Sequence, residues 1–166
     1  MTDKVQLLAL GQLPPLTAVQ PPPHPLAKPS PNPHFAAIGG EPVIARLVER
    51  FYHHMQTQPC AARILAMHPR DLGEVKAVLT RYLSEWMGGP RHYSAERGAP
   101  QLRGRHMRFV IREAERDAWM VCMRAALAEV VPDAALRAEL DAAFLRVADA
   151  VRNTNERGGP LPHGHG

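Results

Sequence analysis

Residues 41–55 read EPVIARLVERFYHHM, and apolar side chains recur in them at steps of three and four positions. This spacing places the side chains on one face of an α-helix. The apolar face comprises Val43, Ile44, Leu47, Val48, Phe51, Tyr52 and Met55. Pro42 falls in the first turn, where a missing backbone N–H removes no intrahelical hydrogen bond. The pattern therefore predicts a helix that begins near Pro42 and ends before Pro59.

The same helical spacing recurs three times further along the chain. The three apolar faces are Leu72, Val75, Leu79, Tyr82, Leu83 and Trp86; then Trp119, Cys122, Met123, Ala126 and Val130; and finally Leu136, Leu140, Phe144, Val147 and Val151. Asp133 is a predicted N-cap of the last helix. A short helix is predicted near Gln101, whereas residues 91–101 are predicted to be irregular because Gly, Pro and charged residues dominate them. No strand-like alternation occurs, so the predicted fold class is all-α.

Prolines divide the chain into parts. Nine of the 17 prolines among the 166 residues lie between Pro14 and Pro33. Proline is excluded from helix interiors and central strands. We therefore predict a disordered Pro-rich extension at 1–34, a folded domain at 35–156 and a flexible Gly/His tail at 157–166. The extension is either solvated chain without a partner or a docking segment for a Pro-recognising partner.

Two paired glycines in the helical region predict sharp turns. Gly39-Gly40 precedes the first predicted helix, and Gly88-Gly89 follows the helix that ends near Trp86. Glycine adopts positive φ without steric cost, which such corners require.

Charge and cysteine content limit the partners and the compartment. The formal net charge is +4 and the sequence pI is about 9.5, a balance that permits anion binding but is too small to indicate a nucleic-acid partner. Cys60 and Cys122 show no disulfide framework, which is typical of a reducing compartment. The apolar run from Val5 to Leu10 is too short to span a bilayer. We expect a cytoplasmic protein without a membrane partner, either a monomer or a homodimer.

Three residues in the helical background are candidates for chemistry. His106 lies among Arg103, Arg105 and Arg108, while Tyr52 and Trp119 lie on core-facing stripes. Each also has an ordinary interpretation: an exposed histidine in a solvated basic face, or an aromatic side chain in the core. The basic residues form either such a solvated face or part of a phosphate-binding patch. Taken singly, these residues leave the choice open.

A series of motifs occurs in fixed order and spacing from Phe35 to Met123. It consists of Ile38-Gly39-Gly40, Arg50-Phe51-Tyr52, Met67-His68-Pro69, Trp86-Met87-Gly88-Gly89-Pro90, Tyr93, Gly98, Leu102-Arg103-Gly104-Arg105-His106, Phe109, Glu115-Arg116-Asp117-Ala118-Trp119 and Cys122-Met123. By these motifs the chain resembles the group II truncated globins. The resemblance implies a globin-like two-over-two helical sandwich and a haem b cofactor, iron protoporphyrin IX.

The resemblance also implies roles on the two sides of the haem. His106 matches the proximal histidine, which binds the iron through Nε2 of a neutral imidazole. Tyr52, Trp119 and His68 match distal positions, with the Tyr52 hydroxyl and the Trp119 indole as hydrogen-bond donors to the ligand. His68 either donates directly or steadies Tyr52. Val75 stands where many other globins carry a distal histidine, and an apolar side chain cannot donate.

Further positions are implied as haem contacts. The pocket walls are Phe51, Val75, Leu79, Tyr82, Leu83, Phe109 and Met123, for which ordinary core packing is the alternative. The propionate contacts are Arg103, Arg105 and Tyr93, because guanidinium groups pair with carboxylates.

The function implied by the resemblance is binding of O2, and of NO or CO, at a histidine-ligated iron. One alternative is a redox enzyme in the same pocket, either a nitric oxide dioxygenase or a peroxidase-like protein. The chain carries no flavin or nicotinamide motif, so an enzyme of this kind needs a separate reductase. The more remote alternative is a haem-free all-α interaction or sensor module.

Overall fold

The computed structural model describes residues 32–155 and 159–160. Eight α-helices lie in these residues: α1 His34–Ile38, α2 Glu41–Thr57, α3 Ala62–Leu65, α4 Gly73–Trp86, α5 His92–Arg97, α6 Leu102–His106, α7 Glu113–Val130 and α8 Ala134–Val151. A 3-10 turn at Pro59–Ala61 leads into α3. Apart from an isolated bridge between Thr154 and Pro160, the described residues contain no β-structure. The predicted all-α class is confirmed.

Four long helices form the frame of the domain. Helix α2 packs against both α4 and α7, and α7 packs against α8. The core between them is built from fully buried side chains that include Ile44, Leu47, Phe51, Met123, Leu127, Leu140 and Phe144. These residues belong to the apolar stripes or to the positions between them, so burial of amphipathic faces accounts for the two-layer arrangement.

The ends of the long helices follow from local sequence chemistry. Pro42 lies in the first turn of α2, as predicted. The Asp133 carboxylate accepts a hydrogen bond of 2.8 Å from the backbone N–H of Leu136, which confirms Asp133 as the N-cap of α8.

The prediction of irregular chain over residues 91–101 was wrong, because α5 forms at His92–Arg97. Its first turn is stabilised from outside the segment by Glu85 on α4. The Glu85 carboxylate accepts hydrogen bonds from the Ser94 backbone N–H, at 2.8 Å, and from the Ser94 hydroxyl. The first four N–H groups of a helix lack intrahelical partners, and Glu85 supplies one. Tyr93 is consequently buried, with its ring centroid 5.5 Å from that of Tyr82.

Three of the four paired glycines adopt the predicted backbone conformation, and the fourth has a different reason to be glycine. Gly39, Gly40 and Gly88 have φ of 107°, 78° and 96°. Gly89 does not have positive φ. A Cβ on Gly89 would lie 2.7 Å from the carbonyl oxygen of Ser84 and closer still to the Phe35 ring. Close packing of α1 on the end of α4 therefore requires glycine at this position.

The predicted disorder of the Pro-rich extension falls on residues 1–31, outside the described residues, and most of the C-terminal tail lies outside them too. The predicted domain boundaries stay predictions, although α1 begins at His34 and Asn32 Nδ2 already donates to the Trp86 carbonyl at 2.8 Å. No helix within the described ranges is long and apolar enough to cross a membrane.

Candidate functional site

His106 is the last residue of the short helix α6, and its imidazole is half-buried. The ring nitrogen Nδ1 lies 2.7 Å from the carbonyl oxygen of Leu102, one helical turn earlier. A carbonyl can only accept, so Nδ1 carries the proton in this hydrogen bond. In the neutral ring Nε2 then has a free lone pair, which is the form in which imidazole binds a metal. The sequence gives no sign of this tautomer, because the partner is a backbone group.

His68 repeats the arrangement on another segment. Its Nδ1 lies 2.8 Å from the carbonyl oxygen of Ile64, again four residues earlier. Burial lowers the pKa of His68, the bond to the carbonyl opposes that shift, and the charge of His106 lowers it further. His68 is therefore neutral near pH 7.

Tyr52 contacts His68 and is almost fully buried. Only 2% of the residue is exposed. The ring centroids of Tyr52 and His68 are 5.5 Å apart, and the rings meet edge to face. Burial raises the pKa of the phenol far above its ordinary value, so Tyr52 keeps its O–H proton and remains a donor.

Trp119 belongs to the same aromatic cluster as Tyr52, and Phe51 contacts both rings. Its ring centroid is 5.1 Å from that of Phe51 on α2 and 5.9 Å from that of Phe144 on α8. Within residues 32–155, neither the Trp119 indole N–H nor the Tyr52 hydroxyl donates a hydrogen bond to another protein group. Tyr52 is buried and Trp119 is half-buried. The two donors thus have unused hydrogen-bonding capacity, and Tyr52 has it next to His68.

The expected pocket walls come from four separate parts of the chain. Helix α4 supplies Val75, Leu79, Tyr82 and Leu83, α2 supplies Phe51, α7 supplies Met123, and the chain after α6 supplies Phe109. Phe51, Leu83 and Met123 are buried and the other four are half-buried. Phe109 lies under the guanidinium of Arg108, 4.8 Å from the ring centroid. Their direct contact with a haem stays a prediction.

The three expected propionate contacts differ in their surroundings. Arg105 donates to the carbonyl oxygens of Pro100 and Arg97, at 3.0 and 3.2 Å, so it secures the loop between α5 and α6. Arg103 is exposed and has no ion pair or hydrogen bond within the described ranges. Tyr93 is buried beside Tyr82, and burial together with Tyr93 raises the pKa of Tyr82 to about 12. Their role toward propionates stays a prediction.

Sequence reasoning missed the groups that hold these side chains in place. They are the carbonyls of Leu102 and Ile64, the Glu85 carboxylate and the Asn153 carboxamide. The carbonyls leave no trace in a sequence. In the sequence, Asn153 follows an apolar stripe and has the pattern of an ordinary residue at the end of a helix. In the structure it is buried and donates a hydrogen bond to the chain just after α6.

The donor set fits a haem. His106 has a free Nε2, and Tyr52 and Trp119 are neutral donors without a protein partner in the part of the chain that the structure describes. Tyr52 itself is 2% exposed, and a low local dielectric strengthens a hydrogen bond that its hydroxyl donates. A haem would be held through Nε2 of His106 and would supply an iron for a small ligand to which Tyr52 and Trp119 could donate.

Comparison with known proteins agrees with this chemistry. The bacterial-like globin family matches residues 34–153. The group 2 truncated hemoglobin YjbI of Bacillus subtilis (strain 168) is 36% identical over 99 residues, which span 60% of this chain and 72% of that protein.

Two solved structures are similar over nearly their whole length. The cold-adapted truncated hemoglobin of Pseudoalteromonas haloplanktis TAC125 has a TM-score of 0.72 and 36% identity, covering 74% of this chain and 99% of that one. The group II 2-on-2 hemoglobin of Agrobacterium tumefaciens has a TM-score of 0.70 and 41% identity, covering 74% of this chain and 95% of that one. The predicted two-over-two sandwich is confirmed. This chain therefore belongs to the bacterial-like globin family as a group II truncated haemoglobin, which implies a haem cofactor and a small diatomic gas as its ligand.

Proposed function

We propose that this chain binds haem b through Nε2 of His106 and takes up O2, or NO or CO, in the pocket beside Tyr52 and Trp119. The observation that carries the proposal is the hydrogen bond between His106 Nδ1 and the Leu102 carbonyl, at 2.7 Å. When bound, haem supplies an iron that takes up diatomic gases reversibly.

His106 acts on the proximal side. The Leu102 carbonyl fixes the tautomer and the orientation of the ring, and a hydrogen bond of this kind makes a ligating imidazole more basic. Because α6 is only five residues long, the backbone of His106 is positioned mainly by the loops at its two ends.

Tyr52 and Trp119 act on the distal side as hydrogen-bond donors. The phenol stays protonated because burial raises its pKa. The indole is held between Phe51 and Phe144, so its N–H keeps one direction. Donors that are already oriented in an apolar pocket stabilise negative charge on a ligand without reorganisation. Slow release of O2 follows from two such donors.

His68 acts through Tyr52. Its Nδ1 proton is bonded to the Ile64 carbonyl, so in the neutral ring Nε2 can accept but cannot donate. A neutral His68 therefore cannot supply a hydrogen bond to the gas. Its edge-to-face contact with Tyr52 limits the rotation of the phenol ring instead. Of the two roles considered from the sequence, the geometry supports steadying of Tyr52.

Arg103 is the favoured propionate contact. Its guanidinium has no protein partner within the described ranges, whereas two donors of Arg105 are bonded to loop carbonyls. A bidentate pair between guanidinium and carboxylate is among the stronger polar contacts available there.

A haem titration of the full-length chain tests the proposal. We expect the wild-type protein to take up one equivalent of haem and to develop a Soret band. His106→Gly should lose the iron–imidazole spectrum, and added imidazole should restore it. His92→Gly, which removes an exposed histidine from α5, is the matched control and should behave as wild type. Wild-type haem affinity and spectrum in His106→Gly would show that another residue binds the iron. If the wild-type protein develops no Soret band, the haem proposal is wrong and the alternative of a haem-free all-α interaction or sensor module is favoured.

A further inference from the structure

We propose that Asn153 is a positioning residue that fixes the iron-binding histidine through the backbone of α6. The proposal rests on the proposed function, because it takes His106 as the iron ligand. Asn153 lies just after the end of α8, 47 positions from His106 in the sequence, and only 7% of it is exposed.

The carboxamide of Asn153 uses all of its hydrogen-bonding capacity. Nδ2 donates to the carbonyl oxygens of His106, at 3.1 Å, and of Phe109, at 2.8 Å. Oδ1 accepts from the backbone N–H of Ile111, at 3.1 Å, and from the Thr154 hydroxyl, at 2.8 Å. Rotating the carboxamide by half a turn would place its oxygen against two carbonyls. The hydrogen-bond pattern therefore specifies asparagine in this one orientation.

Backbone hydrogen bonds of Asn153 and Thr154 add to the contact that the Asn153 side chain makes with the chain after α6. The N–H groups of Asn153 and Thr154 both donate to the carbonyl oxygen of Ile111, at 3.1 and 3.2 Å. The chain after α8 thus bonds to three residues, His106, Phe109 and Ile111, at and after the end of α6. Residues 107–112, which connect α6 to α7, form no helix or strand. Buried backbone groups need partners, and here the partners come from a distant part of the sequence.

Helix α6 cannot hold its own position. It is five residues long, contains glycine and has no fully buried residue, whereas isolated helices of this length are unstable in water. Arg105 ties α6 to the loop carbonyls of Arg97 and Pro100. Asn153 holds its last residue at the other side. Without the carboxamide, the His106 carbonyl keeps only the Phe109 N–H, at 3.0 Å, which belongs to the same connection between α6 and α7.

Two contacts together fix the direction in which Nε2 of His106 points. The Leu102 carbonyl orients the imidazole relative to α6, and Asn153 orients α6 relative to the rest of the domain. Both are needed to keep Nε2 aimed at one point. Loss of an outer partner of a metal ligand typically lowers metal affinity about 10- to 100-fold. We expect a similar increase in the rate of haem loss when Asn153 is replaced.

Two variants of the full-length haem protein test this role. Asn153→Asp keeps the shape but places a carboxylate oxygen against the His106 and Phe109 carbonyls, and Asn153→Ala removes the side chain. The readouts are the rate of haem transfer to excess apomyoglobin and the iron–histidine stretching band of the ferrous protein in resonance Raman spectra. Both variants should lose haem about 10- to 100-fold faster, with a shifted or broadened band.

Asp133→Ala is the matched control. It removes the cap at the opposite end of α8, far along the helix from Asn153. It should lower the melting temperature while leaving the haem-loss rate and the Raman band as in wild type. If the Asn153 variants behave like this control, Asn153 is merely structural and the proposal is overturned.

Thr154→Val keeps the test decisive if Asn153→Ala does not fold. It removes only the hydroxyl that bonds to Oδ1, so a smaller acceleration of haem loss is expected. Wild-type rates in both Thr154→Val and Asn153→Asp would overturn the proposal. A His106→Gly protein with a wild-type Raman band would instead overturn the proximal assignment, and the role of Asn153 with it.

Discussion

The rings of Tyr52 and His68 meet edge to face, with their centroids 5.5 Å apart and their planes at 82°. His68 is itself fixed by the Ile64 carbonyl. The end of α3 is thereby linked through His68 to the middle of α2, where the phenol lies. This chain of contacts explains how a hydroxyl without a protein partner in the described residues keeps a defined position.

The contact predicts that His68 and Tyr52 act as one unit. His68→Ala should increase the O2 dissociation rate, but less than Tyr52→Phe does, because the phenol remains and only its orientation is lost. The double variant should release O2 no faster than Tyr52→Phe alone. Stopped-flow measurements of O2 release provide the rates, and His68→Phe, which keeps a ring edge, is the control. Additive effects would mean that His68 contacts the gas directly.

The two distal donors should each slow the release of O2. Tyr52→Phe and Trp119→Phe remove one donor each while keeping an aromatic ring in the pocket. A hydrogen bond to a charged partner is worth about 1–3 kcal/mol, so we expect O2 release to accelerate about 5- to 150-fold. Thr57→Val, which removes an exposed hydroxyl at the end of α2, is the control and should leave the rate unchanged. Unaltered rates in both distal variants would exclude these hydrogen bonds as the cause of slow release.

Glu85 should contribute stability that depends on pH. Burial raises its pKa, but the hydrogen bonds from Ser94 and the nearby Arg91 outweigh burial, and the net pKa lies below the ordinary value of 4.5. A group whose pKa is lowered by folding stabilises the protein fully above its unfolded-state pKa. The stabilisation is lost as pH falls below about 4.5 and through the folded-state pKa.

Thermal or urea unfolding of Glu85→Gln between pH 3 and 7 measures this contribution. The variant should lose about 1–3 kcal/mol of unfolding free energy at pH 7, and the difference from wild type should shrink toward pH 3. Glu96→Gln is the control, because Glu96 lies on α5 in an exposed pair with Arg81. A difference from wild type that is the same at pH 3 and pH 7 would contradict the role of the Glu85 charge.

Gly89 should not tolerate a side chain. Gly89→Ala places a methyl group against the Ser84 carbonyl and the Phe35 ring, and such overpacking lowers stability by about 1–3 kcal/mol. Gly104→Ala is the matched control, since a Cβ there meets nothing within 4 Å and alanine favours a helix. Equal melting temperatures of the Gly89→Ala and wild-type proteins would show that α1 shifts to accommodate the methyl group.

The long helices could be predicted because the information that forms them is local. The stripe from Val43 to Met55 lies within α2, and Asp133 caps α8 through a residue three positions away. An amphipathic pattern predicts such a helix and its buried face without knowledge of the element that packs against it. The short helix α5 could not be predicted, because the carboxylate that stabilises its first turn belongs to Glu85 on another helix.

In the candidate site, too, some features follow from local sequence and others depend on distant residues. Its chemical groups, His106 with Tyr52 and Trp119, could be proposed from residue type, spacing and family resemblance. Their protonation and direction could not. The proton position in His106 depends on a backbone carbonyl, and the position of α6 depends on Asn153, which lies beyond the end of the last helix.

The amino-acid sequence alone determined an all-α domain with four long amphipathic helices, because periodic burial acts over neighbouring residues. Through the family resemblance it also singled out the imidazole, phenol and indole that we propose for the candidate site. Only the tertiary structure decided which imidazole nitrogen is free, why Gly89 must lack a side chain and how α6 is held. These properties depend on hydrogen bonds and close contacts between residues far apart in the sequence, such as Asn153 with His106, and no local pattern records them.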